Sequence, residues 1–321
     1  MRTFLFTVLF TLTFILSGSK LIYAQTYKDQ FTLTDDNDQY INPNHDRYYT
    51  DGIILTLTHA IKRPQSDSGL VKKIVEYQFG QQIYNPSTGH VWKPSLFDRP
   101  FTGYLFIGAS LNWLYANEGA LKFNAQLGTI GPDALGEQVQ VGFHRLFKLY
   151  PVGPWNVYQL NNEVGLNLDL DYKNLLYRIP ENWFDISADP EVRLGNTFTN
   201  ANAAMLLRFG EFGKLFESAS TNSRVSSNTN STQKHEFYFF AEPQFSYVAY
   251  NATIEGGLFS NDKGPTFGIY HYVFTQQLGL QFSSARWSTS YTAFIRTREV
   301  KSTALGDQWA SLNFVYRFGK I

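Results

Sequence analysis

The 321-residue chain contains no cysteine. That excludes disulfides, thiol nucleophiles and thiolate metal sites, and it suits an oxidising compartment, where a spare thiol is a hazard. The chain also lacks net charge, with 27 basic residues against 27 acidic ones. No extended field favours a polyanion, so nucleic acid is not an expected partner. Beyond the N-terminus there is no uninterrupted apolar run of the roughly 20 residues that a membrane-spanning helix needs. The one apolar stretch, Phe4 to Leu16, follows Arg2 and leads to "LIYAQ". It is too short to span and reads as a signal peptide over residues 1–24, cut after Ala24, with residues 25–321 as one mature domain outside the cytoplasm.

What is abundant is aromatic side chains, 28 Phe and 20 Tyr, and alternation with a period of two. Over residues 156–172, Tyr158, Leu160, Val164, Leu166, Leu168, Leu170 and Tyr172 share one parity. Gln159, Asn161, Glu163, Asn167, Asp169 and Asp171 hold the other. Successive residues of a strand point to opposite faces, so one face is apolar and the other strongly polar. Residues 103–115, 267–282, 285–297 and 310–318 repeat the pattern. These strands are long: a soluble strand averages about 5–6 residues, a membrane-spanning one about 9–11. An all-β, transmembrane antiparallel β-barrel of roughly a dozen strands follows, because only a closed barrel pairs every backbone group of a sheet in lipid.

Two segments break the alternation. Residues 217–235, "ESASTNSRVSSNTNSTQKH", are almost devoid of apolar side chains and predict a mobile external loop with little part in folding. In "GPDALGEQVQVGFHRLF" (131–147), Pro132 and Asp133 suit a helix start. Leu135, Val139, Phe143 and Leu146 recur at helical spacing, and Gln140 and His144, four apart, share one face. A short helix near residues 133–146 is expected.

Around that helix stand "DDNDQY" (35–40), "DRYYTDGI" (46–53), "IYNPS" (83–87) and "KPSLFDRPFTGYL" (93–105). In this order, with the helix segment, they resemble the lipid A 3′-O-deacylase family of outer membranes, the LpxR type. That family has Asn-Asp near the first strand, then D-R-Y-Y-T-x-G, I-Y-x-P, D-R-P-[YF]-[AT]-G-[WY] and G-P-x-x-x-G-x-x-x-Q-x-x-x-H. "NTFTNANAAMLLRFG" (196–210) and "WSTSYTAFIRTREV" (287–300) extend the likeness over nearly the whole mature chain.

The resemblance implies a barrel of about 12 strands, an active site between lumen and outer leaflet, and calcium-dependent hydrolysis of the ester-linked 3′-acyloxyacyl chain of lipid A. The matched positions are Asn37, Asp38, Thr50, Lys93, Gln140 and His144. His144 then suits a general base. Asp38 and Asn37 offer the oxygens that calcium, a hard cation, takes, and Lys93 meets a lipid phosphate or the oxyanion. Parity places Thr50 with Thr56 and Thr58, facing the lumen. Lipopolysaccharide is the expected substrate, outer-membrane lipid the surroundings, and a monomer the working form. Two alternatives remain: a phospholipase-like outer-membrane acyl hydrolase, for which no Ser-His-Asn arrangement is found, and a non-enzymatic porin-like barrel. Tyr48 and Tyr49 read as rim residues, Asp98 and Arg99 as a structural ion pair, and the other histidines receive no role.

Overall fold

The computed structural model describes residues 26–43, 46–62, 69–227, 235–260 and 265–321, so the expected signal peptide and His45 lie outside the described residues. The strands are β1 (Tyr27–Asn37), β2 (Tyr48–Ile61), β3 (Leu70–Asn85), β4 (Thr102–Tyr115), β5 (Gly119–Ile130), β6 (Glu163–Arg178), β7 (Phe184–Gly195), β8 (Phe198–Glu211), β9 (Glu236–Asn251), β10 (Tyr272–Ser283), β11 (Trp287–Arg296) and β12 (Asp307–Lys320). Each pairs antiparallel with its sequence neighbours, and β1 pairs with β12, so the barrel closes without a free edge.

The alternation is realised inside out relative to a soluble protein. On β6, Val164, Leu166, Leu168 and Leu170 are exposed, whereas Asn167 and Asp169 are buried in the lumen. The apolar belt is what lipid accepts. Exposed aromatics stand towards both ends of the outer wall, Phe245, Tyr247 and Tyr272 at one and Tyr177, Trp183 and Phe237 at the other. The sequence start of β6 needs correction: residues 155–158 form a helical turn, and the strand begins only at Glu163. Likewise β10 begins at Tyr272, later than residue 267. Alternation continues into loops when apolar residues there pack on the rim, as Trp155 and Leu160 do.

Long connections gather at one end, residues 38–47, 86–101, 131–162 and 252–271. Three helical pieces lie in them: α1 (Gly136–Leu146), α2 (Trp155–Tyr158) and α3 (Ala252–Glu255). At the opposite end β4–β5, β6–β7 and β10–β11 are joined by short turns, whereas the β8–β9 connection is long. The expectation of a mobile external loop there is wrong for its described part. The connection lies at the end shared with the start of β1 and the finish of β12, and two 3-10 turns fold it inwards. Ser218, Ser223, Arg224 and Val225 are buried. Arg224 pairs with Glu236 at 3.1 Å, the Lys72 ammonium donates to the Ser223 carbonyl, and Asn222 donates to Thr58 at 3.3 Å. A Ser/Thr/Asn segment has nothing to bury against an apolar core, but a polar lumen supplies hydrogen-bond partners for it.

Candidate functional site

The site begins with one extra residue in β2. Its ladder with β3 pairs Tyr49 with Tyr84 and then Asp51 with Ile83, so Thr50 has no opposite number. Such a bulge re-aims the side chains around it. Tyr49 turns into the lumen, where its hydroxyl donates to Asp36 at 2.6 Å and its ring lies 5.2 Å from Tyr84 and 5.4 Å from Trp309. Thr50 turns to the outside of the wall. This overturns the parity argument that placed Thr50 in the lumen; Tyr48 packs with Ile254, Ile269 and Val300 of the loop end, whereas Tyr49 is buried in the lumen and not on the rim.

Outside the wall, Thr50 meets two carboxylates. Its hydroxyl lies 2.7 Å from Asp46 Oδ1 and 3.2 Å from Asp38 Oδ1. Asp38 opens a 3-10 turn (Asp38–Tyr40) for which Asn37 is the cap, accepting from the Gln39 amide at 2.9 Å. The Asn37 amide also donates to Asp51 at 3.3 Å, so Asn37 shapes the turn beside the cluster. Asp38 is 1% exposed and accepts from the Arg47 amide at 2.8 Å. Burial, together with the charges of Asp46 and Asp307, pushes its carboxyl up to about 8 against the opposing bonds from Arg47 and Thr50.

α1 lies across the outer wall. Leu135, held left-handed at φ 59°, links a 3-10 turn (Pro132–Ala134) to the helix. Gln81 on β3 holds the Ala134 carbonyl at 2.6 Å. Gly103 on β4 and Gly136 on α1 allow the close approach: a Cβ on Gly103 would stand 3.0 Å from the Ala134 Cβ and 3.1 Å from the Gly136 amide nitrogen. Gly136, Gln140 and His144, spaced by four, therefore face the wall and are buried. Leu135, Val139, Phe143, Leu146 and Phe147 face away and are exposed, Leu146 at 75%. The helix is amphipathic in the reverse sense: its chemistry points at the barrel and its apolar stripe at the surroundings.

Asp46 joins wall and helix. It accepts from Thr50, from Asn85 Nδ2 at 2.5 Å, from Gln140 Nε2 at 3.3 Å and from the Tyr150 hydroxyl. His144 Nε2 stands 3.3 Å from Asp46 Oδ2. The orientations of Gln140 and His144 follow from their neighbours. Trp155 Nε1, which can only donate, lies 2.8 Å from Gln140 Oε1, so the Gln140 amide nitrogen faces Asp46. His144 Nδ1 lies 2.9 Å from the Tyr150 carbonyl, which can only accept, so Nδ1 carries hydrogen and Nε2 is the basic atom.

Of the residues expected from sequence, Asp38, Thr50, Gln140 and His144 meet around Asp46, and Asn37 borders them. Lys93 is exposed on the 86–101 connection, and among the described residues no hydrogen bond or ion pair joins its ammonium to the cluster. Asp98 and Arg99 are not a pair: Asp98 accepts from Tyr48 and Ser87, and Arg99 pairs with Glu299. Asp46, Asn85, Tyr150 and Trp155 were missed. Only Asp46 carried a signal, as the first letter of D-R-Y-Y-T.

The donor set fits a hard cation. The Thr50 hydroxyl has one proton and faces both carboxylates, so its contact with Asp38 is made by the proton that Asp38 holds below about pH 8 or, once that proton leaves, by a cation in its place. Among the described residues no three His, Asp or Glu side chains converge as a cage, so a cation here would draw on hydroxyl and amide oxygens as well.

A family model described as outer membrane protein LpxR matches residues 5–318 of the chain. Among solved structures, LpxR from Salmonella typhimurium aligns with a TM-score of 0.71 at 22% identity, covering 90% of this chain and 100% of that one. The β domain of the Bordetella autotransporter Brka aligns at 0.43 and 12% identity, over 92% of this chain and 100% of that one. An outer membrane channel from Pseudomonas putida F1 aligns at 0.45 and 12%, over 94% and 99%. No curated protein matches the chain.

Proposed function

Because the chain belongs to the LpxR family of outer-membrane proteins, we propose that it is a lipid A deacylase that hydrolyses the ester-linked 3′-acyloxyacyl chain of lipopolysaccharide. One observation carries this reading: a His–carboxylate pair lies on the lipid side of a barrel wall, under a helix whose outer face is apolar. In outer-membrane barrels the long loops face outwards, so the site stands at the outer leaflet, where lipid A resides. A substrate with several acyl chains can then reach it laterally without leaving the membrane. The β8–β9 connection, folded into one end of the lumen, argues against the porin-like alternative.

The chemistry asked of the chain is ester hydrolysis. His144 Nε2 takes a proton from water as the water oxygen attacks the ester carbonyl carbon; Asp46 stabilises the imidazolium that results. The tetrahedral intermediate expels the sugar alkoxide as the ester C–O bond breaks. The proton on Nε2 passes to that oxygen, leaving a free acid and an alcohol. Gln140, aligned by Trp155, holds Asp46 and closes the helix side of the site. Asp38 and Thr50, with Asn37 at the turn, are the residues that would hold calcium. When bound, the ion supplies positive charge for the developing oxyanion. Lys93, exposed on the 86–101 connection, is available to a lipid phosphate.

The test is acyl release from purified protein in detergent micelles, followed by mass spectrometry. Loss of one acyloxyacyl unit from lipid A, abolished by His144→Ala, supports the reading. Release from phospholipid vesicles but not from lipid A would move the assignment to a phospholipase, and no release from either would remove it.

A further inference from the structure

Asn85 closes β3 at the standing place of the variable letter in I-Y-x-P, so no motif marks it. It is fully buried. Its Nδ2 donates to Asp46 Oδ1 at 2.5 Å, yet its own Oδ1 is buried without a hydrogen-bond partner. Buried polar groups are normally satisfied, so this amide leaves an acceptor unpaired in order to aim its donor at Asp46. Turned round, the oxygen would face a carboxylate. The surrounding chain makes room for the contact. A Cβ on Gly89 would lie 3.1 Å from both Asn85 Nδ2 and Asp46 Oδ2 and 2.7 Å from the Tyr150 hydroxyl, and the Gly89 amide donates to the Asp46 carbonyl at 2.8 Å.

We infer that Asn85 is a positioning residue of the hydrolase: it locks the Asp46 carboxylate in the orientation that serves Gln140 and His144. This rests on the deacylase reading. Asn85 sits on the rigid wall, whereas His144 and Gln140 sit on α1, and Asp46 spans the two. Without Asn85, Asp46 keeps its bonds to Thr50 and Tyr150 but loses the only amide that the wall itself directs at it among its recorded partners. The carboxylate can then rotate away from His144 Nε2.

The experiment is a double-mutant cycle on the full-length protein in detergent, with Asn85→Ala, Asp46→Asn and the double variant, measuring kcat and KM for lipid A deacylation. Asn85→Ala is expected to lower kcat by about 10–100-fold, as loss of an orienting partner does, with KM changed by less than about twofold. If Asn85 acts through Asp46, the double variant is no slower than Asp46→Asn alone, because residues acting as one unit are not additive. Heat-modifiable migration on a denaturing gel reports that each variant retains its barrel. An active wild type with an Asn85→Ala variant of full kcat, or with strictly additive losses, overturns the inference and leaves the functional reading intact. A variant that loses the compact unheated form shows a structural role and overturns it too. A wild type that releases no acyl chain overturns the functional reading, and the inference with it.

Discussion

His144 Nε2 and Asp46 Oδ2 lie 3.3 Å apart, although one belongs to a helix in the β5–β6 connection and the other to the entry of β2. Both are almost fully buried. The contact crosses the seam between barrel wall and helix, so it reports directly on whether the helix is seated. It also pairs the basic nitrogen of an imidazole with an acid, the arrangement that stabilises the charge formed when His144 accepts a proton.

His144→Ala should lower deacylation by about 10²–10⁴-fold, the usual contribution of a general base. The barrel should stay folded, since His144 makes no strand pairing. Normal turnover by the variant, with calcium supplied, would exclude His144 as the base.

Asp46→Asn keeps shape but removes the charge facing His144. The imidazolium then forms less readily, and a loss in kcat of about 10²-fold is expected. The decisive measurement is kcat at saturating substrate: a change confined to KM would mean that Asp46 only shapes the pocket.

Cation binding should depend on pH through Asp38. Burial holds this carboxyl at about 8 in the cation-free protein, well above the ordinary 3.8. Below pH 8 the proton is on, so an incoming calcium ion must displace it, and affinity should fall as pH falls from 8. Calorimetric titration in buffers of different ionisation enthalpy would register proton release at pH 7. The absence of release, or affinity flat between pH 6 and 8, would remove Asp38 as a ligand.

Gly103→Val should unseat α1. Even a Cβ at Gly103 meets Ala134 and Gly136 at 3.0–3.1 Å, and overpacking of this kind costs about 1–3 kcal/mol. The cheapest relief is for the helix to lift from the wall, parting His144 from Asp46. Activity should drop while heat-modifiable migration is retained. Undiminished activity would show that the helix seat tolerates displacement.

Arg208→Ala should destabilise the barrel from the end away from the site. Arg208 and Asp185 are both fully buried and paired at 2.7 Å, and Arg208 also donates to Ser218 in the inward-folded connection at 2.9 Å. Arg178 still faces Asp185 at 2.8 Å, so the cost should stay below the ~3–5 kcal/mol of a buried charge left without any partner. The temperature at which the compact form is lost should fall, whereas deacylation at low temperature should persist. An unchanged transition would mean that the inward fold of residues 212–227 contributes little.

The sequence by itself determined the barrel. Alternation such as Val164, Leu166, Leu168 against Asn167 and Asp169 is a local property with a period of two, and lipid outside with polar groups inside is the only way to satisfy it in a closed sheet. It also determined which face of α1 carries chemistry, because Gln140 and His144 are four apart. Tertiary structure decided what local periodicity does not encode. The bulge at Thr50 shifts parity by one residue and so moves Thr50 from lumen to outer wall. The polar 217–227 stretch reads as solvated in sequence, yet folds inwards because a barrel, unlike a globule, has a polar interior to receive it. Asp46 comes from the β1–β2 connection, Asn85 from the end of β3, and Tyr150 and Trp155 from the connection that carries α1, and the docking of α1 over Gly103 brings the three parts together around the two residues the motif had named.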